Sequence, residues 1–411
     1  MILRDLRTAT GGAQHGAAES AFSALFSCVC SIVLAAVLVF AVSTEFIYDL
    51  WPLVACCAVL FALSVWMLIH IVSGHLRFAF SPMLVLLALP AVIGVAQRLA
   101  DRTVYPFGTL LAIVEWSGAA CAFWICFEIF QYSGIRRFRS FLTVFGIIVS
   151  VLAIVQLMTS NGRVYWLFDF GNIERPMASF LNRDRYSAFI ELILPVVLFQ
   201  ALSQEEHWII YALGGATMYA SVVAGASRAG LLACTLEVLL AVVLGSRRGA
   251  VFSTRMRSVV VVLLLSAGLA TAVGWAYVMN RFAESDPFAY RREFLISSVH
   301  MWRERPWLGF GLGSWPSVYP RFAIMDPGKF VNHAHNDWAE WADDGGLALF
   351  LVFLATAVRA ARRALRSPEA LGVTVVFLHS LVDFNFQTWC IVLTVAILLA
   401  AAESRTDDFA A

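Results

Sequence analysis

Twelve apolar runs partition this chain, at roughly 22–42, 51–72, 81–97, 109–130, 138–158, 186–202, 207–225, 229–245, 258–279, 346–362, 369–383 and 387–402. A helix needs about 20 apolar residues to cross about 30 Å of hydrocarbon. In lipid, every backbone polar group must be bonded within its own segment or a closed barrel. The runs therefore predict an all-α, polytopic membrane helix bundle of about 12 transmembrane helices. Pro90 and Pro195 interrupt two runs, and only Phe384, Asn385 and Phe386 separate the last two. Composition agrees: 60% of the residues are hydrophobic and 14% charged, against about 45–50% and about 25% in a soluble domain. A water-soluble enzyme, a disordered chain and a nucleic-acid binder with a broad basic face are excluded. The lipid bilayer is a partner and nucleic acid is not.

Orientation follows from basic residues in short loops. With the N-terminus inside, the cytoplasmic side holds Arg4, Arg7, Arg77, the clusters at 136–139, 247–257 and 359–366, and Arg405. Most of the other basic residues fall in two long loops, 159–185 and 280–345, where the rule is weak. Both termini are then cytoplasmic. The expected organisation is an N-terminal segment 1–21, helices one to nine over 22–279, a periplasmic catalytic loop 280–345, helices ten to twelve over 346–402 and a tail 403–411. Arg4 and Arg7 precede the first run without a convincing cleavage site after it, which reads as a retained helix. All but one of the 29 basic residues are Arg, the exception being Lys329. Arg-rich coding accounts for this, and so does a need for the planar fork that grips phosphate bidentately.

All eight Cys lie within the runs, none in a metal-ligand spacing with His, so neither a disulfide framework nor a zinc site is expected. Twelve spans suit a polysaccharide transporter or flippase, but no internal repeat is visible, and the sixth-to-seventh connection is only about 203–206. Most polar chemistry sits outside the spans. A loop as long as 280–345 is uncommon unless functional.

Within that loop, Tyr290–Arg305 reads as an amphipathic helix with Phe294, Leu295, Val299 and Trp302 at helical spacing, ended by Pro306. A glycine-rich turn follows, Gly309-Phe310-Gly311-Leu312-Gly313; coming after a helix, it is no dinucleotide fingerprint. Then comes Asn332-His333-Ala334-His335-Asn336-Asp337, with Glu340 three residues on. Asp337 and Glu340 resemble a capping box, which puts His335 and Asn336 just before a helix N-terminus that favours anions. A neutral His there suits a general base near pH 7. Solvated loop residues or caps are the alternative. Arg163, Arg175, Arg183 and Arg185 crowd the 159–185 loop, and Ser227-Arg228-Ala229-Gly230 marks the seventh-to-eighth turn. Arg228 either snorkels to lipid phosphate or lines a ligand site. His379 and Asp383, four apart, suit an oriented His–carboxylate couple or a buried structural hydrogen bond.

The order of these pieces resembles the bacterial O-antigen ligase and polymerase superfamily. Arg175-Pro176-Met177-Ala178-Ser179-Phe180-Leu181-Asn182-Arg183-Asp184-Arg185-Tyr186 leads into the sixth span, and Ser227-Arg228-Ala229-Gly230 follows the seventh. Arg291 lies before Pro306, His335-Asn336-Asp337 is followed by Gly346, and His379 and Asp383 lie in the eleventh span. Two positions depart from the family pattern: Asp343-Asp344-Gly345 replaces an apolar-acidic-apolar run, and Leu349 stands where a second Gly is common. The first departure bears on how the loop helix packs.

The resemblance implies an inverting, metal-independent membrane glycosyltransferase of lipopolysaccharide biosynthesis in the bacterial inner membrane, without cofactors. Its donor would be a glycan on undecaprenyl pyrophosphate and its acceptor a glycolipid such as lipid A-core. A polymerase of the same superfamily, joining the glycan to another repeat, is the near alternative. Carried over, Arg228 and Arg291 match the arginines near the pyrophosphate, and His335 matches the loop His that activates the acceptor hydroxyl. Arg175, Arg183, Arg185, Arg292, His333, Asn336, Asp337, His379 and Asp383 complete the candidate substrate-binding set.

Overall fold

The computed structural model describes residues 25–404, except 77, 172–174, 204–206, 248–251, 274–278, 280–288, 326–327 and 329. The expected segment 1–21, the tail after 404 and the start of the 280–345 loop therefore lie outside the described residues. The fold is an all-α membrane bundle, and each of the twelve apolar runs falls on a helix. These are α1 (Leu25–Ser43), α2 (Trp51–Val72), α3 (Pro82–Leu99), α4 (Pro106–Ser133), α5 (Arg136–Thr159), α6 (Arg183–Ser203), α7 (Trp208–Gly225), α8 (Arg228–Arg247) and α9 (Phe252–Val273). After the long loop come α12 (Asp337–Ala364), α13 (Pro368–His379) and α14 (Trp389–Glu403). The loop itself contributes α10 (Ala289–Glu304) and the single turn α11 (Trp315–Val318). Among the described residues, eight helices are long and apolar enough to cross a membrane; α13, α14 and the apolar part of α9 are shorter.

Local chemistry sets the helix starts. Proline occupies the first turn of α2, α3, α4 and α13, where its missing N–H costs nothing. Ser81 and Ser367 cap α3 and α13 through the N–H groups of Met83 and Ala370. One run is corrected. The eleventh was expected to extend to residue 383, but α13 stops at His379, and 380–388 forms a separate turn.

Helix α6 is the pillar of the bundle. From Tyr186 to Phe199 every residue is buried, including Pro195, with α5, α7, α8, α13 and α14 packed around it. A helix apolar on all sides belongs at the centre. At one end of the bundle, ion pairs staple helix termini: Arg359 and Arg363 to Glu403 at 2.7 and 2.9 Å, and Arg139 to Glu369 at 2.6 Å. All eight Cys are free thiols.

At the other end the long loop folds on a small core of its own, made of Phe294, Met301, Phe310, Trp315, Val318, Tyr319, Val331 and Ala334. The apolar residues at helical spacing on α10 divide between its two faces. Leu295, Val299 and Trp302 are exposed, whereas Glu293, Phe294, Ser297, Ser298 and Met301 are buried. Burial of Glu293 is tolerated because its carboxylate accepts from Ser297, Tyr319 and the Ile324 N–H.

Gly346 breaks α12 in two with φ 64° and ψ −161°, a conformation essentially confined to glycine. The break admits the chain after α10: Leu347 N–H donates to the Pro306 carbonyl, and the N–H groups of Phe310 and Gly311 donate to the carbonyls of Asp343 and Asp344. Asp344 also accepts from Gly313 N–H at 2.7 Å. Gln97 of α3 completes the seam, donating to the Leu308 and Asp344 carbonyls and accepting from Leu312 N–H. The backbone carbonyls of Asp343 and Asp344 and the Asp344 carboxylate thus supply the strap for the glycine-rich turn. The second departure, Leu349, is buried.

Candidate active site

Three capped helix N-termini meet where the loop core rests on the bundle. Asn182 precedes α6 and accepts from Asp184 N–H at 2.7 Å. Ser227 precedes α8 and accepts from Gly230 N–H at 3.1 Å. Asn336 caps α12 by accepting from Ala339 N–H at 3.0 Å. The expected cap of α12 was Asp337; the boundary lies one residue earlier, and Glu340 reaches back to Ala334 N–H. The ends of α6 and α8 touch because Gly230 has no side chain: a Cβ there would collide with Ser187. The Ser227 hydroxyl donates to Asp184 across this contact. Ala226, left-handed at φ 55°, turns the chain so that Arg228 opens α8.

Two carboxylates knit the three ends together. The Arg291 guanidinium lies 3.9 Å from Asp184 and 3.6 Å from Asp383. The other oxygen of Asp383 lies 3.6 Å from His335 Nδ1. Burial would raise the Asp383 carboxyl, but His335, His379 and Arg291 around it hold it down to about 2. His335 sits between two rings: Phe294 is stacked 5.9 Å away and Phe384 edge-on at 4.6 Å. Its backbone is left-handed at φ 52°, a conformation that costs a non-glycine residue about 1–3 kcal/mol and clusters at functional sites. About three-tenths of its side chain is exposed.

The remaining sequence candidates are placed as follows. Arg183 opens α6 and is half-buried. Arg185 pairs with Glu45 at 3.4 Å and lies over the Phe384 ring at 4.9 Å. Arg175 is half-buried just before a tight turn, 177–180. Arg292 is exposed. His333 bonds Glu340 at 2.9 Å and stacks on Phe384. Burial, reinforced by Arg185 and opposed by Asp383, lowers the His333 pKa to about 3, so its ring is neutral at physiological pH. Asn336 donates to the Leu381 carbonyl besides capping α12.

Two candidates are enclosed instead of facing the opening. Asp337 accepts from Phe386 N–H and the Gln387 amide, which fixes the turn after α13. His379 does not pair with Asp383; its Nδ1 bonds Glu191 of α6 at 2.8 Å, with both side chains fully buried. The helix ends at His379, so the expected four-residue couple has no helical face to sit on. Sequence reasoning gave Asp184, Ser227, Phe294 and Phe384 no place in the site. Asn182-Arg183-Asp184 and Ser227-Arg228-Ala229-Gly230 carried a readable signal as N-caps; Phe384, taken only as a spacer between spans, carried none. Among the described residues, no group of three or more His, Cys, Asp and Glu is arranged to hold a metal ion.

Residues 213–354 match the family model described as O-antigen ligase. The matched stretch runs from within α7 to within α12 and contains Arg228, Arg291 and His335. Over that stretch the chain is similar to the O-antigen ligase family. Both carboxylates of the site, Asp383 in the turn after α13 and Asp184 on α6, lie outside the matched stretch, as do Arg183 and Arg185, so the site is completed by segments on both sides of it. None of the curated proteins compared with the chain matches it.

Proposed function

We propose that this protein is a membrane glycosyltransferase of the O-antigen ligase type. It moves a glycan from undecaprenyl pyrophosphate to a hydroxyl of a glycolipid acceptor, with inversion and without a metal. The observation that carries this reading is the shared Asp383, which holds a phosphate-binding group, Arg291, beside a proton acceptor, His335. The Arg-stapled end of the bundle faces the cytoplasm by the positive-inside rule, both termini lie there, and the site faces the periplasm of the inner membrane.

Arg228 and Arg291 receive the pyrophosphate, aided by the positive N-termini of α6, α8 and α12. As the anomeric C–O bond breaks, negative charge grows on the leaving phosphate oxygen. Fixed positive groups aimed at that charge supply the largest catalytic term. His335 accepts the proton of the acceptor hydroxyl while its oxygen attacks the anomeric carbon from the opposite face. Asp383 stabilises the imidazolium that results. Arg183, at the start of α6, and Arg175, before the 177–180 turn, are the further candidates for phosphate or sugar oxygens. Arg185, Asn336, Asp337, His333 and His379 hold the elements in place.

The test is transfer by purified protein in lipid nanodiscs, given lipid-linked donor, acceptor and chelator. His335→Ala should lower transfer about 10²–10⁴-fold at unchanged protein level; full activity would remove the assignment. A lipopolysaccharide gel of a deletion strain separates the polymerase reading. Loss of all ladder bands with intact core means ligase, and core with a single repeat means polymerase.

A further inference from the structure

Helix α10 runs level with the ends of the membrane helices. Near its start, Arg291 meets Asp184, the second residue of α6, and Asp383, just past the end of α13. At its other end, Arg305 donates to the Arg102 carbonyl, three residues past α3, and the Pro306 carbonyl accepts from Leu347 at the start of the membrane half of α12. Sixteen residues span about 24 Å. Anchored at membrane-helix termini on both sides, this rod lies along the membrane plane. Phe294, Ser297, Ser298 and Met301 face the loop core. The opposite side carries Leu295, Val299 and Trp302 at the i, i+4, i+7 spacing of a single stripe, 43, 38 and 37% exposed. Arg292 and Arg303 are exposed beside that stripe. Past the helix, Trp307 and Leu308 are exposed as well, where the chain meets α12 at Leu347 and Ala348, and from there α12 exposes the apolar stripe Leu351, Leu354 and Val358.

We propose that α10 is an interfacial helix: its Leu295–Val299–Trp302 stripe beds into the lipid leaflet on the site's side, with Arg292 and Arg303 against lipid phosphates. The occupant is the bilayer because the stripe is continuous with the lipid-facing surface of α12. Trp at the junction and Arg beside an apolar stripe are the chemistry of the headgroup boundary. The consequence is depth. Arg291, next to the stripe, is held at headgroup level, where the phosphates of a lipid-linked molecule lie.

Single nitroxides at Leu295→Cys, Val299→Cys and His300→Cys test this in nanodiscs, in a Cys28→Ser background that removes the exposed native thiol. His300 is exposed on the other flank of α10. Labels at 295 and 299 should collide with oxygen in preference to a water-soluble nickel chelate, with a ratio several-fold above that at 300. Nickel access at 295 and 299 equal to that at 300 overturns the proposal in favour of solvent. Protection from both reagents overturns it in favour of a protein partner or a second copy. A benzophenone residue in place of Val299 gives an independent reading: a phospholipid adduct supports the proposal, and an adduct to protein alone overturns it.

Discussion

Arg291 and His335 share one carboxylate: Asp383 lies 3.6 Å from the guanidinium through one oxygen and 3.6 Å from the imidazole Nδ1 through the other. The two residues come from opposite ends of the long loop, and Asp383 comes from the turn after α13. Its position depends on that turn, which Asp337 fixes through Phe386 and Gln387 and which follows the buried His379–Glu191 pair. The loop is thereby registered on the bundle at the point where leaving group and acceptor would meet.

Asp383→Asn keeps the side-chain shape and removes the charge. Arg291 and His335 lose their common anchor, and the imidazolium loses its counter-charge. We expect kcat for glycan transfer to fall about 10²-fold with protein level and donor KM little changed. Steady-state kinetics in nanodiscs checks this. Unchanged kcat would mean that Arg291 and His335 hold their positions without the carboxylate.

Arg291→Lys keeps the charge and loses the planar fork. A charge-assisted hydrogen bond contributes about 1.5–3 kcal/mol, so kcat/KM for the donor should fall about 10- to 10²-fold. The same substitution at Arg321, whose exposed guanidinium pairs with Glu304 on the surface, should leave kcat/KM within about 2-fold. Equal effects at the two positions would argue against bidentate phosphate binding at Arg291.

His333 makes stability depend on pH. Its pKa falls from the usual 6.5 to about 3 in the fold. Below pH 6.5 the unfolded chain takes up a proton that the folded chain refuses, so stability is full above that pH and declines as pH falls towards 3. The slope from one such group is at most about 1.4 kcal/mol per pH unit. On going from pH 7.5 to pH 5, the unfolding midpoint of the wild type should fall relative to that of His333→Gln, which keeps a hydrogen-bonding group for Glu340. An unaltered difference between the two midpoints would place the acid sensitivity elsewhere.

Much of the architecture was legible because membrane helices announce themselves by length: each of the twelve apolar runs marked a real helix. Arg228, Arg291 and His335 were picked out as candidates through the motifs around them. What the sequence hid was polar burial. Glu293 lies on the buried face of α10 because partners from distant residues satisfy it, and of the apolar residues at helical spacing Phe294 is buried while Leu295, Val299 and Trp302 are exposed. His379 looked like a partner for Asp383 because only the local spacing was visible; Glu191, on another helix, takes it. Phe384 gave no sign that it lies against His333, His335 and Arg185 together. In each case a contact between remote segments overrides a local pattern.

Gly346 carries the last prediction. Its φ of 64° with ψ of −161° is open to glycine and strained for other residues, and a Cβ there would meet the Trp307 carbonyl. Gly346→Ala must therefore either straighten α12 or push the 306–308 strand away. Both outcomes break the Leu347–Pro306 bond and loosen the seam that Gln97 and Asp344 stitch to the glycine-rich turn. The backbone strain alone amounts to about 1–3 kcal/mol. We expect a lower unfolding midpoint, faster proteolytic cleavage within 305–336 and loss of transfer, since His335 hangs between this seam and Asp383. Gly268, which has open space where a Cβ would stand, is the control: Gly268→Ala should leave all three readouts unchanged. Wild-type protease resistance and activity in Gly346→Ala would show that the loop is held by its own small core and not by the break in α12.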